Sequence, residues 1–263
     1  MTSDRASQQV FFGTSALLFI GSATMTIAWC ASMSAMGKMP MPGGWAMSMT
    51  WMRMPGQTWI GAVASFLAMW IVMMAAMMLP SLIPMLWRFR QAVTWVSDLR
   101  LGSLTALAGL GYFFVWTLIG LAVFPLGIAL ATVEMDIPAL ARGVPFLIGA
   151  VILLAGIFQF TPLKAHYLAC CRNAPGHGRI LPADAGTAWR QGVRFGLHCN
   201  LSCANLTVIL LAIGVMDLRA MAAVTAAITA ERLAPAGEHF ARAIGVVIVG
   251  AGLLLILRAV ELG

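Results

Sequence analysis

Long apolar runs separated by short polar segments dominate the hydrophobic pattern along the chain. A bilayer core of about 30 Å is crossed by roughly 20 apolar residues in an α-helix, since backbone groups cannot stay unpaired in hydrocarbon. Six runs are long enough, and a seventh at 220–230 is short and built of small residues, which favours a tilted, interfacial or half-inserted segment. The pattern predicts an all-α polytopic transmembrane helix bundle with six to seven spans. The six long runs are Val10–Cys30, Thr58–Leu79, Leu104–Leu130, Val144–Phe160, Phe195–Val215 and Ala243–Leu257.

The composition agrees with a membrane protein. Of the 263 residues, 61% are hydrophobic and 10% are charged, whereas a soluble domain is nearer half apolar and a quarter charged. The predicted location is the bacterial cytoplasmic membrane, with the lipid bilayer as the first partner. No P-loop, GxSxG, HExxH or dinucleotide motif occurs in a credible context. We therefore expect neither an enzyme nor a protein with a nucleic-acid partner.

The distribution of Lys and Arg predicts the orientation in the membrane. With a cytoplasmic N-terminus and seven spans, the inner segments hold eleven of these residues and the outer segments hold five. Short cytoplasmic loops carry such an excess of positive charge. The whole chain, 1–263, is then a single transmembrane domain with a Met-rich outer loop at 31–57 and a basic inner loop at 161–194.

The outer loop is rich in methionine, interleaved with proline, glycine and tryptophan and without helical periodicity. Thioether sulfur is a soft ligand, and several thioethers in one loop favour Cu(I) over hard cations. The alternative is that these side chains seat the loop in the membrane interface as adaptable apolar contacts. The candidate ligands of this loop are Met36, Met39, Met41, Met47 and Met49.

A second group of methionines lies inside the second span, just before two prolines. At 100° per residue, Met73 and Met77 form one stripe along the helix. Met74 and Met78 form a second stripe beside it, so two rows of sulfur share one broad face. The prolines that follow predict a kink, because they interrupt the backbone hydrogen bonds. Packing is the alternative to a ligand role, since methionine commonly fills gaps between helices.

Thiols and imidazoles collect at the predicted inner side, where the fourth span ends and the fifth begins. Cys199 and Cys203 are four residues apart and share one helical face. If the fourth and fifth spans pack as neighbours, these groups converge into a site of two to four soft ligands for Cu(I) or Zn(II). The alternative is that cysteine in a membrane helix acts as a small hydrophobe. The candidates are Cys170, Cys171, Cys199, Cys203, His166 and His198.

Charged residues are missing from the middle of the six long runs. A proton-relay carboxylate or an ion-pair pathway is therefore not visible, which argues against a proton-coupled carrier. Glu231 and Arg232 follow the short seventh segment. We interpret these two residues as an inner helix end rather than as part of a site.

Four motifs occur in order along the chain. They are Met73-Met-Ala-Ala-Met-Met-Leu-Pro80, Gly111-Tyr-Phe-Phe-Val-Trp116, Phe158-Gln-Phe-Thr-Pro-Leu-Lys164 with Cys170, Cys171 and Arg172, and Gly196-Leu-His-Cys199-Asn-Leu-Ser-Cys203. Together they resemble the family of predicted metal-binding integral membrane proteins formerly called DUF2182, over roughly Thr58 to the C-terminus. That family includes a membrane copper chaperone that serves a bacterial tyrosinase. The resemblance implies a metal-binding membrane protein, with ligand roles for Met73, Met74, Met77, Met78, Cys171, Cys199 and Cys203.

The chain departs from the pattern of this family at two positions. Tyr167 stands three residues beyond Lys164, where the family typically has cysteine, and Ser202 stands where the family has the first of two paired cysteines. Cys170 and His166 are positioned to compensate. The departures imply either a changed ligand set or a decayed site in a protein that has kept a structural role.

Three hypotheses about function follow. The first is a copper-handling membrane protein that binds Cu(I) through Met and Cys and delivers or moves it to a cuproenzyme by exchange between soft ligands. The second is an accessory subunit of a larger membrane enzyme complex, with no metal of its own. The third is a membrane oxidoreductase that uses Cys170 and Cys171, which is disfavoured because adjacent cysteines form a strained disulfide.

Overall fold

The chain folds as a bundle of α-helices. The computed structural model describes residues 2–35, 39–40, 46–47, 51, 56–93, 96–173 and 180–262. In this part of the chain the only strands are two antiparallel segments of two residues each, which pair Met39 with Met47 and Pro40 with Ala46. The elements are α1 (Thr2–Ala35), β1 (Met39–Pro40), β2 (Ala46–Met47), α2 (Trp59–Ala92), α3 (Asp98–Asp136), α4 (Pro138–Phe158), α5 (Pro162–Asn173), α6 (Ala185–Ile213), α7 (Leu218–Leu233) and α8 (Gly237–Leu262).

Six of these helices are long and apolar enough to cross a bilayer, and they coincide with the six long runs of the sequence. They are α1, α2, α3, α4, α6 and α8. The all-α polytopic architecture is thereby confirmed. The observed α2 continues thirteen residues past the predicted end at Leu79 and stays helical through Pro80 and Pro84. Apolar length alone underestimates such a helix, because its last turns stay packed on neighbouring helices, as Phe89 and Arg90 show.

Contacts between helices define two ends of the bundle. At one end Arg90 of α2 donates a hydrogen bond to Ser7 of α1 and another to Thr105 of α3. We call this the inner end, after the predicted orientation. At the opposite, outer end, Cys30 of α1 contacts Met216 in the turn between α6 and α7. Helix α1 therefore runs from the inner to the outer end, and α2 returns.

An aromatic contact joins α2 to α3 in the outer half of the bundle. The indole Nε1 of Trp70 donates a hydrogen bond to the backbone oxygen of Trp116 at 2.9 Å, and both side chains are fully buried. One helical turn farther out, the ring of Phe66 lies 4.9 Å from the ring of Phe124. Residue numbers rise on α3 as they fall on α2, so the two helices are antiparallel.

Glycines allow α3 and α6 to approach closely along a parallel path. Gly192 of α6 lies against the backbone of Ala108, and Gly196 lies against Tyr112 and Val115. Small residues of this kind let helix backbones approach in a bilayer, where dispersion and hydrogen bonding replace the hydrophobic effect as the source of helix association. This contact holds the middle of α6 beside the middle of α3, where the candidate site lies.

Alanine at Gly192 is expected to lower the free energy of unfolding by about 1–3 kcal/mol, as overpacking does elsewhere. A Cβ there would lie 2.1 Å from the backbone oxygen of Ala108, which cannot move independently of its helix. Gly109 on α3 has no atom within 4 Å of such a Cβ, so Gly109→Ala is the matched control. Unfolding midpoints in detergent measure the difference, and equal midpoints for the two variants would contradict this account of the packing.

Helix α7 runs from the outer end to the middle of α6. It starts beside Met216, and its C-terminal Arg232 hydrogen-bonds to Cys199, midway along α6. Its 16 residues span about 24 Å at 1.5 Å per residue. Helix α8 begins at this depth and packs antiparallel to α4, since Gly156 contacts Val249 and Gly149 contacts Ile256. The weak seventh segment is thus the return path that allows α8 to run toward the outer end.

Candidate metal centre

Three sulfur atoms from α2 and α6 meet inside the bundle, at the level where α7 ends. The Cys199 thiol donates a hydrogen bond to the Met78 sulfur at an Sγ–Sδ distance of 4.0 Å. Cys203 lies one helical turn after Cys199 on the same face of α6, so the two thiols interact with each other. None of the three side chains is more than 1% exposed. We call Met78, Cys199 and Cys203 the sulfur cluster.

Helix α3 contributes a hydroxyl to this cluster. The Tyr112 hydroxyl lies 2.8 Å from the Cys199 Sγ, and either atom can be the donor. Tyr112 belongs to the second of the four sequence motifs, but the sequence analysis assigned it no role. The parallel packing of α3 on α6 brings the two residues together, and this contact is not visible from their separation of 87 positions.

The four methionines of α2 are all buried, but they are not equivalent. Met78 contacts a thiol, whereas Met73, Met74 and Met77 are enclosed in the apolar core formed by the surrounding helices. The predicted sulfur rows therefore exist as a buried face of α2. Its inner end reaches the thiols of α6.

Arg232, at the C-terminal end of α7, lies against the sulfur cluster. Its guanidinium donates hydrogen bonds of 3.0 Å to the Ser81 hydroxyl, to the backbone oxygen of Cys199 and to the Ser202 hydroxyl. The side chain is 7% exposed. Ser202, which departs from the family pattern, here serves as an acceptor for this cation.

A buried ion pair lies beside Arg232. Lys164 of α5 forms a salt bridge of 2.7 Å with Glu231 of α7, and it also donates to the backbone oxygen of Ser202. The second carboxylate oxygen of Glu231 accepts a hydrogen bond of 2.8 Å from Gln159. Lys164 and Glu231 are only 1% and 2% exposed.

These charges correct the interpretation of Glu231 and Arg232 as a helix end outside any site. Both residues do end α7, but α5 and α6 close over them and bury them against the sulfur cluster. Hydropathy assigns such charges to the surface, because it does not register that a neighbouring helix supplies a partner. The only signal in the sequence was Lys164, which lies in the third motif.

The two adjacent cysteines of α5 face in different directions. Cys171 is buried, and this burial raises the pKa of its thiol to about 11. Cys170 is only half-buried, and its Sγ lies 3.7 Å from the Nε2 of His166, one turn earlier on the same helix. Successive helical residues are 100° apart, and the packing of α5 turns Cys171 into the bundle and leaves Cys170 nearer its surface. Of the two to four soft ligands expected at this end, the structure thus brings Cys199 and Cys203 together and leaves Cys170 apart.

The remaining candidate ligands are dispersed. His198 of α6 is half-buried, unlike the fully buried Cys199 beside it. Met39 and Met47 lie in the paired strands, and only their backbone is described. Met36, Met41 and Met49 lie outside the described residues.

A separate soft contact lies at the outer end. The Cys30 thiol donates to the Met216 sulfur at 3.6 Å, and Cys30 is 1% exposed. Cys30 precedes the Met-rich loop, whereas Met216 was not singled out by the sequence analysis. Met216 sits in the turn after Gly214, whose φ of +136° is accessible mainly to glycine.

The sulfur cluster fits a low-coordinate soft cation. Within the described residues, no group of three or more His, Cys, Asp or Glu side chains is gathered to hold a metal ion. Zn(II) normally takes four such ligands. Two thiols and one thioether instead offer the soft donors that suit Cu(I).

The comparisons with known proteins agree with this chemistry. The model of the PpoB2 family, described as a copper chaperone, matches residues 67–255, which include the sulfur cluster, Arg232 and the buried ion pair. Neither a curated protein nor a solved structure is detectably similar to the chain. Since the match covers well over half of the sequence, the chain belongs to the PpoB2 copper chaperone family.

Proposed function

We propose that this protein holds Cu(I) at the sulfur cluster within the membrane and passes it to a cuproenzyme. The observation that carries the proposal is the contact of the Met78 thioether with the Cys199 thiol, beside Cys203, in the interior of the bundle. It joins the first and the fourth motif in a single set of soft donors. Family membership supports copper as the cargo.

Ligand exchange is the proposed transfer step. A Cu(I) ion held by two or three sulfur atoms can accept an incoming thiolate or thioether before it releases an old one, so neither ATP nor a proton gradient is needed. Cys171 is buried next to Ser202, close to the cluster, whereas Cys170 with His166 lies toward the surface of α5. These two positions offer successive ligands between the interior and the inner end.

Metal content tests the proposal directly. Protein purified in detergent under reducing conditions, after growth with added copper, is expected to hold about one copper ion per chain. Mass spectrometry of the metal and of co-purifying proteins is done on the same sample. Copper-free protein that purifies with a stoichiometric membrane partner would contradict the proposal and favour an accessory subunit in which methionine serves only for packing.

The position of Met78 predicts a difference among the methionines of α2. Met78→Leu is expected to weaken Cu(I) binding several-fold while the protein stays folded, because leucine matches methionine in volume but lacks sulfur. The control variant carries Met73→Leu and Met77→Leu, which remove two buried sulfur atoms of the neighbouring stripe. Competition titrations with a Cu(I) chelator measure both affinities. Equal losses in the two variants would show that the whole sulfur face, rather than Met78, contributes to binding.

A further inference from the structure

Arg232 is a buried cation whose described hydrogen-bond acceptors are all uncharged. Its partners are two hydroxyl groups and one backbone oxygen. Both carboxylate oxygens of the neighbouring Glu231 already accept hydrogen bonds, one from Lys164 and the other from Gln159. The salt bridge of Lys164 with Glu231 therefore leaves Arg232 without a share in this carboxylate. A buried charge without a counter-charge is costly, so the position calls for an anion nearby.

Arg232 hydrogen-bonds to the backbone oxygen of Cys199 and to Ser202, the residue before Cys203, so its guanidinium lies beside these two cysteines. Cysteine binds a metal ion as thiolate. When Cys199 and Cys203 bind Cu(I), two negative charges and one positive charge leave a net charge of minus one. The guanidinium of Arg232 then neutralises the site, while Lys164 and Glu231 neutralise each other.

A divalent ion bound to the same two thiolates does not bring the net charge of the metal, the thiolates and Arg232 to zero. Zn(II) on the same two thiolates forms a neutral unit and leaves the charge of Arg232 uncompensated in a medium of low dielectric constant. A third anionic ligand would restore the balance, but no third Cys, His, Asp or Glu is gathered with these two thiols among the described residues. The fixed charge beside the sulfur atoms therefore penalises divalent cations.

We propose that Arg232 is the counter-ion of the loaded sulfur cluster and makes it selective for a singly charged soft cation over Zn(II). This inference rests on the proposed function, because it presumes that Cys199 and Cys203 hold the metal ion. Arg232 acts here as a specificity-determining residue that does not itself bind the metal.

Affinities for Cu(I) and Zn(II) in the full-length protein in detergent test this role. Arg232→Gln is expected to lower the Cu(I) affinity by at least about tenfold, as loss of a buried charge partner does elsewhere, and to leave the Zn(II) affinity unchanged or higher. Arg232→Lys keeps the charge and is expected to keep most of the preference. Arg90→Gln is the matched control, since Arg90 is also a buried arginine but contacts Ser7 and Thr105.

A second variant keeps Arg232 in place, so this test does not require the protein to fold without the Arg232 side chain. Ser81 accepts a hydrogen bond from Arg232, so Ser81→Asp adds a carboxylate that neutralises the guanidinium. This variant is expected to lose Cu(I) affinity and to gain Zn(II) affinity, as Arg232→Gln does. Ag(I), a singly charged soft ion that resists oxidation in air, is expected to follow Cu(I) in every variant.

The outcomes separate this inference from the function on which it rests. Wild-type protein without Cu(I) affinity would overturn both. Wild-type protein that binds Cu(I) through its cysteines, with an unchanged Cu(I)-to-Zn(II) affinity ratio in Arg232→Gln and Ser81→Asp, would overturn the counter-ion role alone.

Discussion

Replacing Cys199 and Cys203 together by serine is expected to reduce the copper content of the purified protein to less than about one tenth, since loss even of groups that support metal ligands costs 10-fold or more. Hydroxyl oxygen is a hard and weakly basic donor, whereas Cu(I) requires soft ones. Serine fits the same space, and both side chains remain enclosed by α2, α3 and α6. The fold is therefore retained, and metal content by mass spectrometry reports the site.

The matched control for this double variant is Cys170→Ser. Cys170 is half-buried on the other face of α5 and contacts His166 rather than the sulfur cluster. Its replacement is expected to leave the copper content of the purified protein unchanged, although transfer to an acceptor is slower if Cys170 acts as an exit ligand. A double variant that still holds one copper ion per chain would exclude the sulfur cluster as the binding site.

Breaking the buried ion pair is expected to have the largest effect on stability. Lys164→Met leaves the Glu231 carboxylate buried without its cation, and such a loss typically costs 3–5 kcal/mol. Removing both charges, with Lys164→Met and Glu231→Gln together, is expected to recover most of that loss. Glutamine can still accept the hydrogen bond from Gln159.

Unfolding by titration with SDS in mixed micelles compares these variants with the wild type. Arg172→Gln removes a positive charge from the same helix, but Arg172 donates to a backbone oxygen near the surface. Its cost is expected to stay within about 1 kcal/mol. If Lys164→Met unfolds at the same SDS concentration as Arg172→Gln, the ion pair does not hold α5 and α7 against α6.

Most of the fold follows from the sequence, because a bilayer imposes one demand on every span. A run such as Leu104–Leu130 must be helical, since a backbone group in hydrocarbon must be satisfied within its own helix. Which helices become neighbours is not encoded so locally. The parallel contact of α3 with α6 depends on glycines such as Gly192. The need for glycine at that position is evident only when the opposing backbone of Ala108 is known.

The sequence allowed the sulfur-bearing residues of the candidate site to be named, but it did not show which of them lie close together. The four-residue spacing of Cys199 and Cys203 correctly indicated a shared helical face. Cys170 and Cys171 were grouped together, although the packing of α5 buries Cys171 and leaves Cys170 only half-buried. Recognising the segment as a helix rather than as a basic loop would have shown that the two thiols differ in direction by 100°, but which of them is buried depends on the neighbouring helices.

The rule that cytoplasmic loops carry an excess of Lys and Arg predicted the topology, but it did not reveal the charged part of the site. Lys164 and Arg232 were counted among the positive residues of the inner segments, where they supported the predicted orientation. The structure buries both of them. A count of charges assumes that each cation contacts water or lipid headgroups. It therefore cannot detect a cation that is paired inside the protein.

The direction of α7 also bears on how other proteins could be attached to this one. Helix α1 starts near Arg90 at the inner end, whereas α8 runs away from that end beside α4. Because α7 returns only to the middle of the bundle and α8 runs back to the outer end, the two termini of the bundle lie at opposite ends. A donor domain on one side and an acceptor domain on the other could thus be tethered to the same polypeptide, one at each terminus, without a linker that crosses the bilayer.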